Sequence, residues 1–138
     1  MNKQVRWAWG VLVFVLFVGL MVSIAQAQSM RAEIPFEFVV GKKTMAEGEY
    51  TLRALSPQIV LIRRTDDSSS VLVLTSTVQA KNIHDTGKLV FNQYGDLHFL
   101  SQIWSAGTDD GRIVSKSKSE REISMRAPSH GVTTVALK

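Results

Sequence analysis

The chain has 138 residues, no cysteine, and 16 basic against 12 acidic residues. The missing cysteine excludes a thiol nucleophile, a thiolate metal site and a lipidated cysteine anchor, and leaves stability to core packing alone. So small a charge excess is not the electrostatic footprint of a nucleic-acid-binding surface.

The N-terminus carries the three parts of a secretory signal in order: Lys3 and Arg6, an apolar run from Gly10 to Ile24, and Ala25-Gln26-Ala27. Small residues at Ala25 and Ala27 fit the A-x-A site of signal peptidase and predict cleavage before Gln28. The competing reading is a retained anchor, since Trp7 to Ile24 is an uncharged stretch of about 18 residues, near the lower limit for spanning a bilayer. A stop-transfer helix would usually carry Lys or Arg where Ala25 and Ala27 stand, which favours cleavage. Removing 1–27 takes away Lys3 and Arg6, leaving 111 residues with 14 bases against 12 acids and a net charge of about +2. That length suits one domain, 28–138, with one core.

Arg31 to Val40 alternates, with Ala32, Ile34, Phe36, Phe38 and Val40 on one side, and predicts a strand with one face in a core. Pro35 cannot donate to a ladder, so it marks an edge or a bulge. Gly41 to Gly48 reads as a polar loop, Glu49 to Leu55 as a second strand, and Ser56-Pro57 as a turn. Gln58 to Thr65 holds four consecutive aliphatic residues, as expected of a short strand covered on both faces. Asp66 to Ser70 closes it, Val71 to Gln79 is a further strand, and a loop with Asn82, His84, Asp85 and Gly87 follows.

Lys88 to Tyr94 and Leu97 to Trp104 flank Gly95-Asp96, the glycine-first pair that a type II′ hairpin needs; the implied register sets Phe91 opposite Leu100 and Tyr94 opposite Leu97. Ser105 to Gly111 reads as a loop. Ser117-Lys118-Ser119-Glu120 has capping-box spacing and predicts one short helix near 117–125. Ala127 to Gly131 breaks it, and Val132 to Leu137 is the last strand. The expected fold is all-β: a single antiparallel β-sandwich or small closed barrel of about seven strands with that one helix. Gln58 to Thr65 and Val132 to Leu137 are too short for the spanning strands of an outer-membrane barrel.

No local chemistry emerges. His84, His98 and His130 lack ligand spacing. Asp66-Asp67 and Asp109-Asp110 sit in turns, where aspartate bonds its own backbone, and no further oxygen ligands at alternate positions complete a calcium loop. Ser115-Lys116-Ser117-Lys118 contains S-x-x-K without its companion motifs. Asp96, His98 and Ser101 share one hairpin, but His98 and Ser101 project from opposite strand faces. Arg112, Lys116, Lys118, Arg121 and Arg126, interleaved with Glu120 and Glu122, read as a solvated face, and Phe91, Phe99, Leu100, Ile103 and Trp104 as core. No catalytic, cofactor-binding or metal-binding residue is assigned, and no cofactor.

Two phrases carry a resemblance. Ile34-Pro35-Phe36-Glu37-Phe38-Val39-Val40-Gly41-Lys42-Lys43-Thr44, leading to Gly48-Glu49-Tyr50-Thr51-Leu52, is similar to a phrase PFxFxVxxKTxPAGxYT. Leu89 to Asp96 followed by Phe99 to Trp104 is similar to a second phrase of the same proteins, an uncharacterised family of small exported β-domain proteins of soil bacteria. The resemblance implies export and a compact β-domain, and brings no catalytic residues with it. Ala46-Glu47 departs from the Pro-Ala of the family phrase and loosens that loop. Together these features predict an exported, periplasmic or extracellular, non-enzymatic β-domain with a binding or structural role in the cell envelope or outside the cell. It would have no membrane association after signal cleavage and no nucleic acid as partner. A carrier of a small apolar ligand in a barrel interior, or an enzyme of unrecognised type, is the alternative.

Overall fold

Alternating apolar residues give strands whose inward side chains meet in one core. In the computed structural model, which describes residues 29–127 and 130–138, these are β1 (Ser29–Ile34), β2 (Phe38–Val40), β3 (Lys43–Met45), β4 (Gly48–Ser56) and β5 (Ile59–Arg64). They continue as β6 (Ser70–Gln79), β7 (Lys88–Tyr94), β8 (Leu97–Trp104), β9 (Asp110–Val114) and β10 (Gly131–Ala136), with one helix, α1 (Lys118–Arg126), before the last strand. The signal segment 1–27 and its cleavage point before Gln28 lie outside the described residues.

The strands form a single mixed sheet in the order β1-β4-β5-β6-β9-β8-β2-β3, with β7 on the other edge of β8 and β10 beyond β7. All ladders are antiparallel except the one parallel pair Val39–Phe99 between β2 and β8. Inward residues from β1 through β9 join one cluster, so the sheet curls around its own core. It is not closed into a barrel. The C-terminal residues touch β1 at one bridge, Ala32–Leu137, and through the Lys138 N–H donated to the Arg31 carbonyl at 2.8 Å. A single sheet with a parallel contact replaces the expected antiparallel sandwich or closed barrel; the all-β character stands.

The core is aromatic at its centre. Phe38 meets Tyr50 edge-on at 5.1 Å and Phe91 at 5.6 Å, while Phe36 meets Phe91 at 5.0 Å. Such pairs add about 0.5–1.5 kcal/mol each beyond the burial of their area. Ala32, Ile34, Phe38 and Val40 are buried as their alternation requires. They belong to two strands rather than one, because Pro35 has no N–H to continue a ladder.

Ten strands are described where about seven were expected. Besides the split at Pro35, β3 lies inside the predicted polar loop, turned back by Gly41 at φ +59°, and it buries Met45. The five residues of β9 fill the gap between β6 and β8. β5 is not covered on both faces: Val60 and Ile62 are buried, whereas Ile59 and Leu61 are half-exposed. The only described helix is bonded to Asn92 and Tyr94 of β7 instead, and Leu72 and Leu74 of β6 stay exposed.

The β7–β8 hairpin has the predicted register, Phe91 opposite Leu100 and Tyr94 opposite Leu97, with Gly95 at φ +60°. Further along, Val90 pairs Gln102, so Ser101 is an extra residue on β8. This bulge shifts the phase and lets Leu100 and Ile103, three apart, both enter the core.

Candidate functional site

The three histidines go to three different aromatic neighbours. His84 meets Trp104 at 5.0 Å, His98 stacks on Phe36 at 4.0 Å, and His130 lies over Tyr94 at 5.2 Å. Among the described residues no group of three or more His, Asp or Glu side chains is placed to hold a metal ion. Ser101 is the bulge residue of β8 and Asp96 occupies the β7–β8 turn, so the trio with His98 is not gathered by the hairpin. The Ser68 hydroxyl and N–H both bond Asp66 and hold its carboxyl below the usual range, with Arg64 adding to the effect. Asp109 accepts the Ala80 N–H on its backbone carbonyl, and Asp110 opens β9.

Two groups expected on a solvated face are not there. Glu120 is 4% exposed: its Oε1 accepts from Asn92 Nδ2 at 3.0 Å and from the Tyr94 hydroxyl at 3.3 Å. The carboxylate thus pins α1 to the outer face of β7, where Tyr94 meets the ring of Phe99 at 5.7 Å; Phe99 is buried but not in the central cluster. Only half of the capping box forms, since Ser117 Oγ accepts the Glu120 N–H at 3.2 Å while the Glu120 side chain turns to the sheet. Arg112 is half-buried and donates from Nη1 to the Ser56 and Pro57 carbonyls at 3.1 and 2.6 Å, tying β9 to the β4–β5 turn. These partners are 26 to 56 residues away in sequence, and no local pattern announces them.

Three depressions stand out among the described residues. One of about 350 Å³ on the outer face of β1, β4 and β5 gathers Arg31, Arg53, Arg63 and Arg64. Three of these arginines face carboxylates: Arg31–Glu49 at 3.9 Å, Arg63–Asp67 at 3.8 Å and Arg64–Asp66 at 3.2 Å. A second, of about 520 Å³, is crossed by Arg112 and its carbonyl bonds. The largest of these three is a groove of about 640 Å³ between Leu72–Leu74 of β6, the β2–β3 turn at Gly41 and Lys42, and the segment from Val114 to Ser119 that links β9 to α1.

This groove is built from an unusual combination. Leu72 and Leu74 are 62% and 67% exposed on the outer side of β6. Lys42, Lys116 and Lys118 rim it, and Glu122 is the one acid in its lining. The S-x-x-K segment contributes to this wall rather than to a catalytic pair: Ser117 Oγ caps α1, and Ser115 N–H reaches the Leu74 carbonyl at 3.4 Å. Apolar surface edged by cations favours an occupant with apolar and anionic parts. The exposed leucines are not readable in the sequence, because Val71 to Leu74 is aliphatic at every position and gives no phase, and neither is the end of the β9 ladder beside them.

No family model, curated protein or solved structure matches the chain. Among the described residues no helix is long and apolar enough to cross a membrane.

Proposed function

We propose that this chain is an exported, non-enzymatic binding domain of the cell envelope or extracellular space, acting through the groove beside β6. The observation that carries this reading is the pair of solvent-facing leucines, Leu72 and Leu74, under a rim of three lysines. Burial of that pair by a partner recovers apolar area now in water, at about 25 cal/mol per Å². Export rests on Lys3, Arg6, the apolar run and Ala25-Gln26-Ala27.

The interior supports surface association over carriage of a ligand inside. Tyr50, Phe38, Phe91, Ile34 and Met45 are each under 2% exposed and pack the space between the strands. The reading is tested by recovering the protein from its own exported fraction, measuring its intact mass, and comparing native mass spectra of the parent and a Leu72→Glu/Leu74→Glu variant. The expected result is a chain beginning at Gln28 whose bound component is lost in the variant. A full-length chain in the membrane fraction would overturn export, and equal retention by both proteins would overturn the groove.

A further inference from the structure

β6 is covered in two halves. Its first half, Ser70–Leu74, pairs with β5 from Arg63 to Ile59, and its ladder with β9 begins only at Thr75–Val114. The two neighbours lie on opposite edges: the Thr75 N–H donates to the Gln58 carbonyl on the β5 side at 2.8 Å, whereas the Leu74 carbonyl accepts Ser115 N–H on the β9 side. Backbone groups of a strand alternate between its edges. Val71 and Val73 therefore address β5, and Ser70, Leu72 and Leu74 address the other edge. Beyond Ser115 the chain turns away into α1, so on that edge Ser70–Leu74 has no ladder among the described residues.

What reaches this edge is a side chain. Lys43 Nζ, from β3, donates to the Ser70 carbonyl at 2.9 Å, and among the described residues β3 itself pairs only with β2. An edge with unpaired backbone groups is a template for another strand. Here it runs along the floor of the lysine-rimmed groove, with the exposed Leu72 and Leu74 side chains beside it.

We propose that Ser70–Leu74 accepts an extended, acidic peptide segment as an added strand, a proposal that rests on the groove being the binding surface. Five residues of strand span about 17 Å, so the segment needs five or six residues. Its backbone pairs with Leu72, its apolar side chains cover Leu72 and Leu74, and its carboxylates meet Lys42, Lys116 and Lys118. A fatty chain would cover the leucines equally well, but would leave the Leu72 N–H and C=O without partners in a drying groove, which costs free energy.

The probe is an end-capped octapeptide of alternating Val and Glu, titrated into the exported protein while the amide signals of Leu72 and Leu74 are followed. Companions are the Val/Lys peptide, dodecanoate, and two Val/Glu copies N-methylated on all Val or on all Glu nitrogens. In a strand each of these sets faces one edge, so at least one methylated copy must bind tenfold or more weakly. The Val/Lys peptide must also bind tenfold or more weakly at low salt. Both methylated copies binding like the parent, or dodecanoate displacing the peptide from the same amides, would overturn strand addition and leave the groove reading intact. Signal changes confined to another face would overturn the groove reading itself. Absence of peptide binding at millimolar concentration, or concentration-dependent pairing of the protein through the same amides, would overturn the acidic peptide as occupant.

Discussion

The two tyrosines of the chain, Tyr50 and Tyr94, are both buried, and burial pushes both phenols above the ordinary value of 10.0. For Tyr94 the Glu120 carboxylate adds to the rise; for Tyr50 the Arg64 cation opposes it without reversing it. A raised phenol means that the fold prefers the neutral form. Its contribution is whole below about pH 10 and is lost as pH climbs through the folded-state values. Tyrosinate absorbance is therefore expected to rise only above pH 10, together with loss of the β-sheet circular dichroism. About a quarter of the full tyrosinate signal appearing at pH 10 with an unchanged spectrum would contradict the burial of one ring, and about half would contradict the burial of both. Gly111 poses a separate residue-scale demand: a Cβ there would sit 2.4 Å from the Trp104 ring of the adjacent strand. Gly111→Ala is expected to cost about 1–3 kcal/mol through overpacking. In the mature form proposed above, which lacks Trp7 and Trp9, Trp104 is the sole tryptophan, and its emission should shift to the red in that variant. An unshifted emission and melting temperature would mean that the ring has room to move.

At the scale of elements, α1 is held by its cap and by one carboxylate. Replacing Glu120 by Ala leaves Asn92 Nδ2 and the Tyr94 hydroxyl without their acceptor, and is expected to cost about 1–3 kcal/mol. Glu120→Gln keeps an acceptor oxygen and should recover most of that loss. Amide exchange separates the outcomes: α1 should open in the alanine variant while the β7–β8 ladder stays protected, and equal loss of both would show that the helix is part of the core unit. The sequence makes α1 legible, because Ser117 and Glu120 have cap spacing, and likewise the β7–β8 hairpin, because a glycine-first pair sits between two alternating runs. Gly41-Lys42 is the same kind of signal, with Gly41 at positive φ, but the three-residue strands beside it are too short for alternation to stand out. β9 is hidden for a similar reason, and the partners of Glu120 and Arg112 are fixed by topology alone.

For the whole molecule, a cysteine-free chain depends on one curled sheet, and that sheet is interrupted where β9 leaves β6. Inward residues are legible from their alternation, which is why Ala32, Ile34, Phe38 and Val40 fall in the core as the sequence predicts. The groove could not be read in that way, since it arises where one ladder stops and no residue type marks the stopping point. The most direct test is hydrogen–deuterium exchange on the proposed mature chain, 28–138, first with the proposed partner bound and then stripped of it. The partner is expected to slow exchange along Ser70–Leu74 and in the 115–119 segment, and to leave the arginine-bearing face of β1, β4 and β5 unchanged. Slowed exchange on that arginine face, with Ser70–Leu74 exchanging equally in both states, would contradict that expectation.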